Sequence, residues 1–466
     1  MRESGAHIGS TISPFPVKRH VWPPGHCCFP QIMLAHPRRF GDILPGWQKK
    51  MDMRAGYGLL VQSCLLPFFK TFHERIDTAS RRLVTQKMGH TPENGFRGER
   101  LGQIDILKGL AILCVLAQHC LTLRMLDQSW YLLHIGQAVP LFMVLMGYNA
   151  RRSALVAPQS APLYSREYFG KYFHRILYPF LFILAGSFAF SWLDGVVYGR
   201  PFPPIDLTLF LGRLPSEGVG NYFIPLLFQF ILVFPLLNRW CSSHLPSFLW
   251  GCLVLDVAFE LLCRNLPLQG PTAAFLYTGC VFRYLFAVAL GAWLAQMRPN
   301  GRLDARQWAG ALVSLGFLVA WYATDGTWYP FNPLSGGISC LIAGYPLGLA
   351  ALGLRRLPVT PQKAGSRLLA SLGKLSYHIY LVQMLYFVSI YRFLDLMFFS
   401  RIIPGDARFL VGLFVHIPAC VLLGWLFQRV ERSVWDFLGR SGLPLFGTHD
   451  GPRQASGISM VQPRKD

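Results

Sequence analysis

Beyond about residue 104 the chain is a succession of apolar stretches separated by short polar breaks. Ten can be delimited, at roughly 104–123, 131–149, 176–197, 221–238, 247–263, 275–297, 308–323, 337–354, 376–394 and 408–428. A helix needs about 20 apolar residues to cross a hydrocarbon core, and each stretch comes close to that length. Composition agrees: 52% of the 466 residues are hydrophobic and only 14% are charged, where soluble domains carry about a quarter charged. So few charges cannot cover the surface of a soluble protein of this size. The expected fold class is all-α, a polytopic membrane protein of about ten transmembrane helices. The same balance argues against a cytosolic enzyme.

The formal net charge of +21 raises the question of nucleic acid. The basic residues lie between apolar runs and form no single stripe, so no nucleic-acid partner is expected. Their distribution reads instead as the excess of Lys and Arg on cytoplasmic loops. One alternating set of loops holds Arg151, Arg152, Arg166, Lys171, Arg175, Arg239, Arg298, Arg302, Arg306, Arg355, Arg356, Lys363, Arg367 and Lys374. The other holds Arg124, Arg200, Arg213, Arg264, Arg392, Arg401 and Arg408. Both basic ends of the chain fall with the richer set, which predicts that both termini are cytoplasmic. Prolines inside spans, such as Pro140, Pro179, Pro225, Pro235 and Pro418, are tolerable where neighbouring helices satisfy the freed carbonyls.

Three regions follow. Residues 1–100 hold 15 of the 44 Lys and Arg residues and one apolar run, 57–69, too short to span. They read as a basic, mostly disordered cytoplasmic extension, with Met51, Met53 and Met88 as alternative starts. Residues 101–440 form the ten-span domain, and 441–466 a disordered tail. Six of the eleven cysteines (Cys114, Cys120, Cys252, Cys280, Cys340 and Cys420) lie in apolar runs, where cysteine behaves as a small hydrophobe. Neither a CxxC pair nor a metal-ligand spacing occurs, and no metal is expected. A fixed-period repeat, as in transporters built from inverted repeats, is not visible.

Ionisable residues inside spans are costly and point to function by default. Lys108 and His119 stand eleven positions apart on the first span, three helical turns and about 16 Å, so both face nearly the same way. With Lys108 at the cytoplasmic interface, His119 lies near mid-membrane. Asp105, three residues before Lys108, shares its face and can pair with it. Asp256 and Glu260 lie four apart on the fifth span and Arg283 lies in the sixth, where they could line a polar cavity or simply neutralise one another. Asn221, Tyr222 and Trp328 fall near outer ends of spans, where aromatic residues stack on sugars or anchor in the interface.

A basic residue, ten positions and then His on the first span resembles the hallmark of acyltransferase family 3, integral-membrane O-acyltransferases. The resemblance extends in order along about residues 100–440. Val139–Tyr148, an apolar run closing on Met-Gly-Tyr, is similar to the family's second span, and Tyr172–Pro179 to the basic stretch entering the third. Gly220–Pro225 resembles the opening of the fourth span. Leu372–Leu381 resembles the late "LGxxSYxIYL" signature, and Val430-Glu431-Arg432 the step after the last span. Two departures stand out. The family more often carries Arg where Lys108 stands, and its late signature commonly ends in His where this chain has Gln383.

What the resemblance implies is transfer of an acyl group, usually acetyl from cytoplasmic acetyl-CoA as co-substrate, to a hydroxyl of a cell-envelope glycan or lipid-linked acceptor. His119 would act as general base or transient acyl carrier. Lys108 would stabilise the oxyanion or hold the thioester, and Asp105 would keep Lys108 charged. Arg151, Arg152, Lys171 and Arg175 would hold the phosphates of CoA. Asp256, Glu260, Arg283, Tyr222 and Gln383 would contact the acceptor. The expected location is the cell (inner or plasma) membrane, multi-pass and in contact with its lipids. The competing class is a transporter or flippase that exports an envelope polysaccharide, which explains spans and buried charges but not the ordered motifs.

Overall fold

A computed structural model of the chain describes residues 101–440 apart from 122–124, 127–128, 157–163, 200, 203–204, 206, 217, 266–269, 324–340 and 395–410. The readings of residues 1–100, the tail and Trp328 lie outside these. Among the described residues the structure is helical without a strand. The main helices are α1 (Gly102–Cys120), α2 (Ala138–Val156), α3 (Arg166–Val197), α4 (Phe223–Ser243), α5 (Leu245–Asn265), α6 (Gly270–Thr278), α7 (Leu285–Met297), α8 (Ala305–Ala323), α9 (Gly344–Arg356), α10 (Ala364–Val388) and α11 (Gly412–Leu438).

A helix stands at each of the ten expected places. Five are long and apolar enough to cross a membrane: α1, α3, α4, α5 and α11. A sixth qualifies if α6 and the helical stretch Val281–Met297 form one span, bent by 42° at Gly279-Cys280. The second expected span is shifted along the chain. Tyr131–Gln137 forms two short 3₁₀ turns after Trp130, which takes a left-handed conformation with φ 55°, and the continuous helix runs from Ala138. The first helix closes at Cys120, short of the expected residue 123.

Two helix pairs form the centre, and glycines set both. In α1 and α10, a Cβ on Gly109 would overlap the Leu369 carbonyl, and one on Gly373 would overlap that of Asp105. In α2 and α7, Gly147 lies against the Val288 carbonyl and Gly291 against that of Val144. Reciprocal small residues of this kind let membrane helices approach backbone to backbone. The two pairs join through α1 against α2, while α11 and α3 flank α10, and α5 and α9 flank α7.

Two π-turns interrupt the flanking helices, at Phe173–Leu177 in α3 and Gly412–His416 in α11. Each is followed by a residue preceding proline, Tyr178 before Pro179 and Ile417 before Pro418. The N–H of that residue reaches one carbonyl further back than in an α-helix, to Phe173 and Gly412. The proline ring crowds the carbonyl four residues earlier and opens the helix locally, which the wider turn accommodates.

Candidate functional site

The first-span residues divide by depth along α1. Asp105 is buried, 4% exposed, in the crossing of α1 with α10, where its backbone carbonyl meets Gly373. Lys108 is half-buried one turn on. His119 lies in the last turn of α1, half-buried, with its ring 5.6 Å from that of Phe387 on α10. The adjoining Cys120 packs on Gly412, at the start of the α11 π-turn. That turn carries His416, buried, whose Nδ1 is 2.7 Å from the hydroxyl of Tyr386. The His119 end of α1 thus meets the α10 segment Tyr386–Phe387 and the α11 turn together.

A second polar centre forms where the sixth span breaks. Gln229 on α4 spans the break, donating to the Gly279 carbonyl at 2.7 Å and accepting from the Val281 N–H at 3.0 Å. The Tyr284 hydroxyl donates to the freed Thr278 carbonyl at 2.8 Å. These side chains replace the backbone bonds that a continuous helix would make. Arg283 projects from the break, 3% exposed, with its Nε 3.6 Å from Glu260 Oε1. That spacing is an ion pair longer than a hydrogen bond. Glu260 accepts instead from the Tyr277 hydroxyl at 2.7 Å. The guanidinium lies 4.7 Å from the Tyr277 ring centre and 5.4 Å from that of Tyr284, cation–π contacts suited to a desolvated arginine.

Asp256, one turn from Glu260, accepts at Oδ2 from the Phe286 N–H at 3.3 Å, and its Oδ1 has no hydrogen-bond partner among the described residues. Tyr222, half-buried at the start of α4, lies within electrostatic reach of Arg283. Asn221 folds the preceding loop, accepting from Leu214 N–H at 2.7 Å and donating to Gly212 at 2.9 Å. The Tyr380 hydroxyl ties that loop to α10 through Gly220 at 2.7 Å. One turn from Tyr380, Gln383 is fully buried, and neither atom of its amide has a partner among the described residues. Its Nε2 faces Gly220, 3.5 Å from where a Cβ would stand. Asp256, Glu260, Arg283 and Tyr222 are therefore brought together, with Gln383 adjoining through the Gly220 loop.

The four expected donor-site cations are not alike. Lys171 and Arg175 are exposed, one turn apart on α3, and Arg152 is half-buried. Arg151 is 4% exposed and bonded inward. It donates to Asn238 Oδ1, at Ser242 Oγ over 2.7 Å, and to Gln296 Oε1 over 2.8 and 3.1 Å. It ties α2 to α4 and α7.

Sequence reasoning passed over a pair that lies inside two of its own motifs. His378 Nε2 and Glu431 Oε2 are 2.8 Å apart, linking α10 to α11. Their residue types could have suggested a pair, but the register of two distant spans is not readable from one chain. His416 was likewise within an expected span and drew no attention there.

A family model describing an acyltransferase domain, that of acyltransferase family 3, matches residues 101–428. The chain belongs to acyltransferase family 3. No curated protein and no solved structure matches it significantly. Family membership and the apolar helices make it a multi-pass membrane acyltransferase. The family's match takes in Lys108, His119 and the late-span motif with Gln383, and ends just before Glu431.

Proposed function

We propose that the protein moves an acetyl group from cytoplasmic acetyl-CoA to a hydroxyl of a cell-envelope glycan or similar lipid-linked acceptor. The chain crosses the cell membrane ten times in this reading, with both termini in the cytoplasm. His119 takes the acceptor proton as general base, or first carries the acetyl group as an acyl-imidazole. A neutral imidazole suits either task. Lys108 balances the oxyanion that forms on the thioester carbonyl, and the buried Asp105 favours its charged state. At the donor mouth Lys171, Arg175 and Arg152 hold the phosphates of CoA, and Arg151 fixes the helix behind them.

The observation that carries the acceptor side is Gln383, a fully buried amide without a partner among the described residues. Leaving such a group unpaired costs about 1–3 kcal/mol, and a sugar hydroxyl can both give and accept the missing bonds. Tyr222 supplies a ring on which a sugar can stack, while Asp256, Glu260 and Arg283 shape the polar wall beyond it. The deciding experiment supplies purified protein with isotopically labelled acetyl-CoA and compares envelope glycans from cells with and without the gene by mass spectrometry. Label transfer, with loss of acetyl mass in the deletion strain, is the expected result. Full glycan acetylation without the gene, and no transfer by the purified protein, overturns the reading.

A further inference from the structure

Tyr178 and His378 carry buried polar atoms that the scheme above does not use. The Tyr178 hydroxyl and the His378 Nδ1 are both buried without a hydrogen-bond partner among the described residues, and Tyr178 as a whole is 9% exposed. Both flank one carboxylate. His378 binds Glu431 through Nε2 at 2.8 Å, and Tyr178 lies within electrostatic reach of Glu431. A circuit of rings joins them: Tyr178 to Phe182 at 5.2 Å, Phe182 to Phe427 at 6.2 Å, and Phe427 to His378 at 5.5 Å.

A carboxylate only accepts, so Glu431 fixes the Nε2–H tautomer of a neutral His378 and leaves Nδ1 as an acceptor. Tyr178 offers an O–H donor within electrostatic reach of the same carboxylate. An acceptor and a donor arranged around one carboxylate complement a secondary amide, which presents N–H and C=O. Each of the two groups also has an exposed cation one turn nearer the start of its helix. Lys374 precedes His378 by four residues in a continuous helix, a spacing that shares a face, and Arg175 lies three residues before Tyr178 within the π-turn. Cations at the rim with amide-matching groups one turn further in fit a ligand that is anionic at one end and amide-bearing along its stem.

We propose that the pantetheine arm of acyl-CoA lies between α3, α10 and α11, with an amide bonded to Tyr178 and His378 and its phosphates on Lys171, Arg175 and Lys374. This rests on acyl-CoA being the donor. It adds Lys374 to the phosphate-binding cations and gives His378–Glu431 a task in donor recognition apart from the chemistry at His119.

The test measures binding of CoA, pantetheine and adenosine 3′,5′-bisphosphate to the full-length purified protein. Tyr178→Phe is the cleaner variant, because the hydroxyl it removes bonds to nothing described and the fold loses no contact. His378→Gln keeps a donor toward Glu431 and serves as the second. Each should weaken CoA and pantetheine about tenfold, the worth of one buried hydrogen bond, and leave the bisphosphate unchanged. Lys374→Gln should do the reverse, weakening CoA and the bisphosphate and sparing pantetheine. Unchanged pantetheine binding in both Tyr178→Phe and His378→Gln overturns the proposal, as does equal weakening of all three ligands. If the wild-type protein binds none of the three, it is the acyl-CoA donor reading that fails.

Discussion

Arg151 and Arg283 are both guanidinium groups withdrawn from solvent, 4% and 3% exposed, yet they sit in opposite kinds of surroundings. Among the described residues Arg151 bonds to neutral acceptors, Asn238, Ser242 and Gln296. Arg283 faces a carboxylate at 3.6 Å and two tyrosine rings, beside a broken helix. Around it the polar groups are not all satisfied: Asp256 Oδ1 and the Gln383 amide lack partners among the described residues. A closed network holds helices in register, and a partly satisfied one is costly unless something else completes it. On the function proposed above, the contrast sets a scaffold half, α2 with α4 and α7, against a working half made of α1, α10 and the break before α7.

The strongest way to break that division is His119→Ala. Among the described residues the ring of His119 meets one other ring, that of Phe387, so its loss should leave insertion and melting temperature in detergent nearly unchanged. Acetyl transfer should fall about 10²–10⁴-fold, the range for a lost general base, or further if the residue carries the acyl group. A well-expressed His119→Ala protein with near-normal activity would remove α1 from the working half.

Arg151→Met probes the other side. It strips the shared donor from Asn238 and Gln296, both half-buried, and from the exposed Ser242, where water can replace part of what is lost. A net loss of about 1–2 kcal/mol of stability is expected, read as a lower melting temperature. The KM for acetyl-CoA of the folded fraction should hold. A raised KM with unchanged melting would place Arg151 at the donor mouth after all.

How far this could be read beforehand varied with the kind of information needed. The apolar stretches located ten helices because hydrophobic length is a local property of the chain. They did not show that Val139–Tyr148 belongs to a helix running on to Val156, because Arg151 and Arg152 looked like loop charges. Arg151 could be recognised as buried only with Asn238 and Gln296 beside it, and those lie 87 and 145 residues away. The Asp256, Glu260 and Arg283 cluster was legible because two members share a helix face and charges in apolar runs are conspicuous. His378 with Glu431 was not, since it depends on the register of α10 against α11. The glycines that bring α1 onto α10 carry no signal until the partner helix is known.

Gln383→Leu should have a smaller effect than His119→Ala, and of a diagnostic kind. An amide at this site adds a desolvation cost that leucine of similar size does not. Melting temperature should therefore stay level or rise, while the KM for the acceptor rises about tenfold, the loss of one hydrogen bond from the complex. The donor KM should not move. A fall in stability would show that the amide is paired within the protein, and the working half would lose its least satisfied member.

Lys108→Arg should have the smallest effect of the four, and it asks what the first-span cation must be. Lys108 is half-buried one turn from the buried Asp105, a setting in which either basic side chain can present positive charge. Lysine is a compact point charge that can give up its proton, whereas arginine stays charged and spreads its charge over a planar fork. If the cation only balances an oxyanion, Lys108→Arg keeps most of the activity and Lys108→Ala loses it. If Lys108 passes a proton, Lys108→Arg should fail as badly as Lys108→Ala, and the pH–rate profile of wild type should show a basic limb that the arginine variant lacks. The family's more frequent Arg at this place supports the first outcome. Measuring kcat for the three proteins across pH decides between a fixed charge and a proton carrier beside His119.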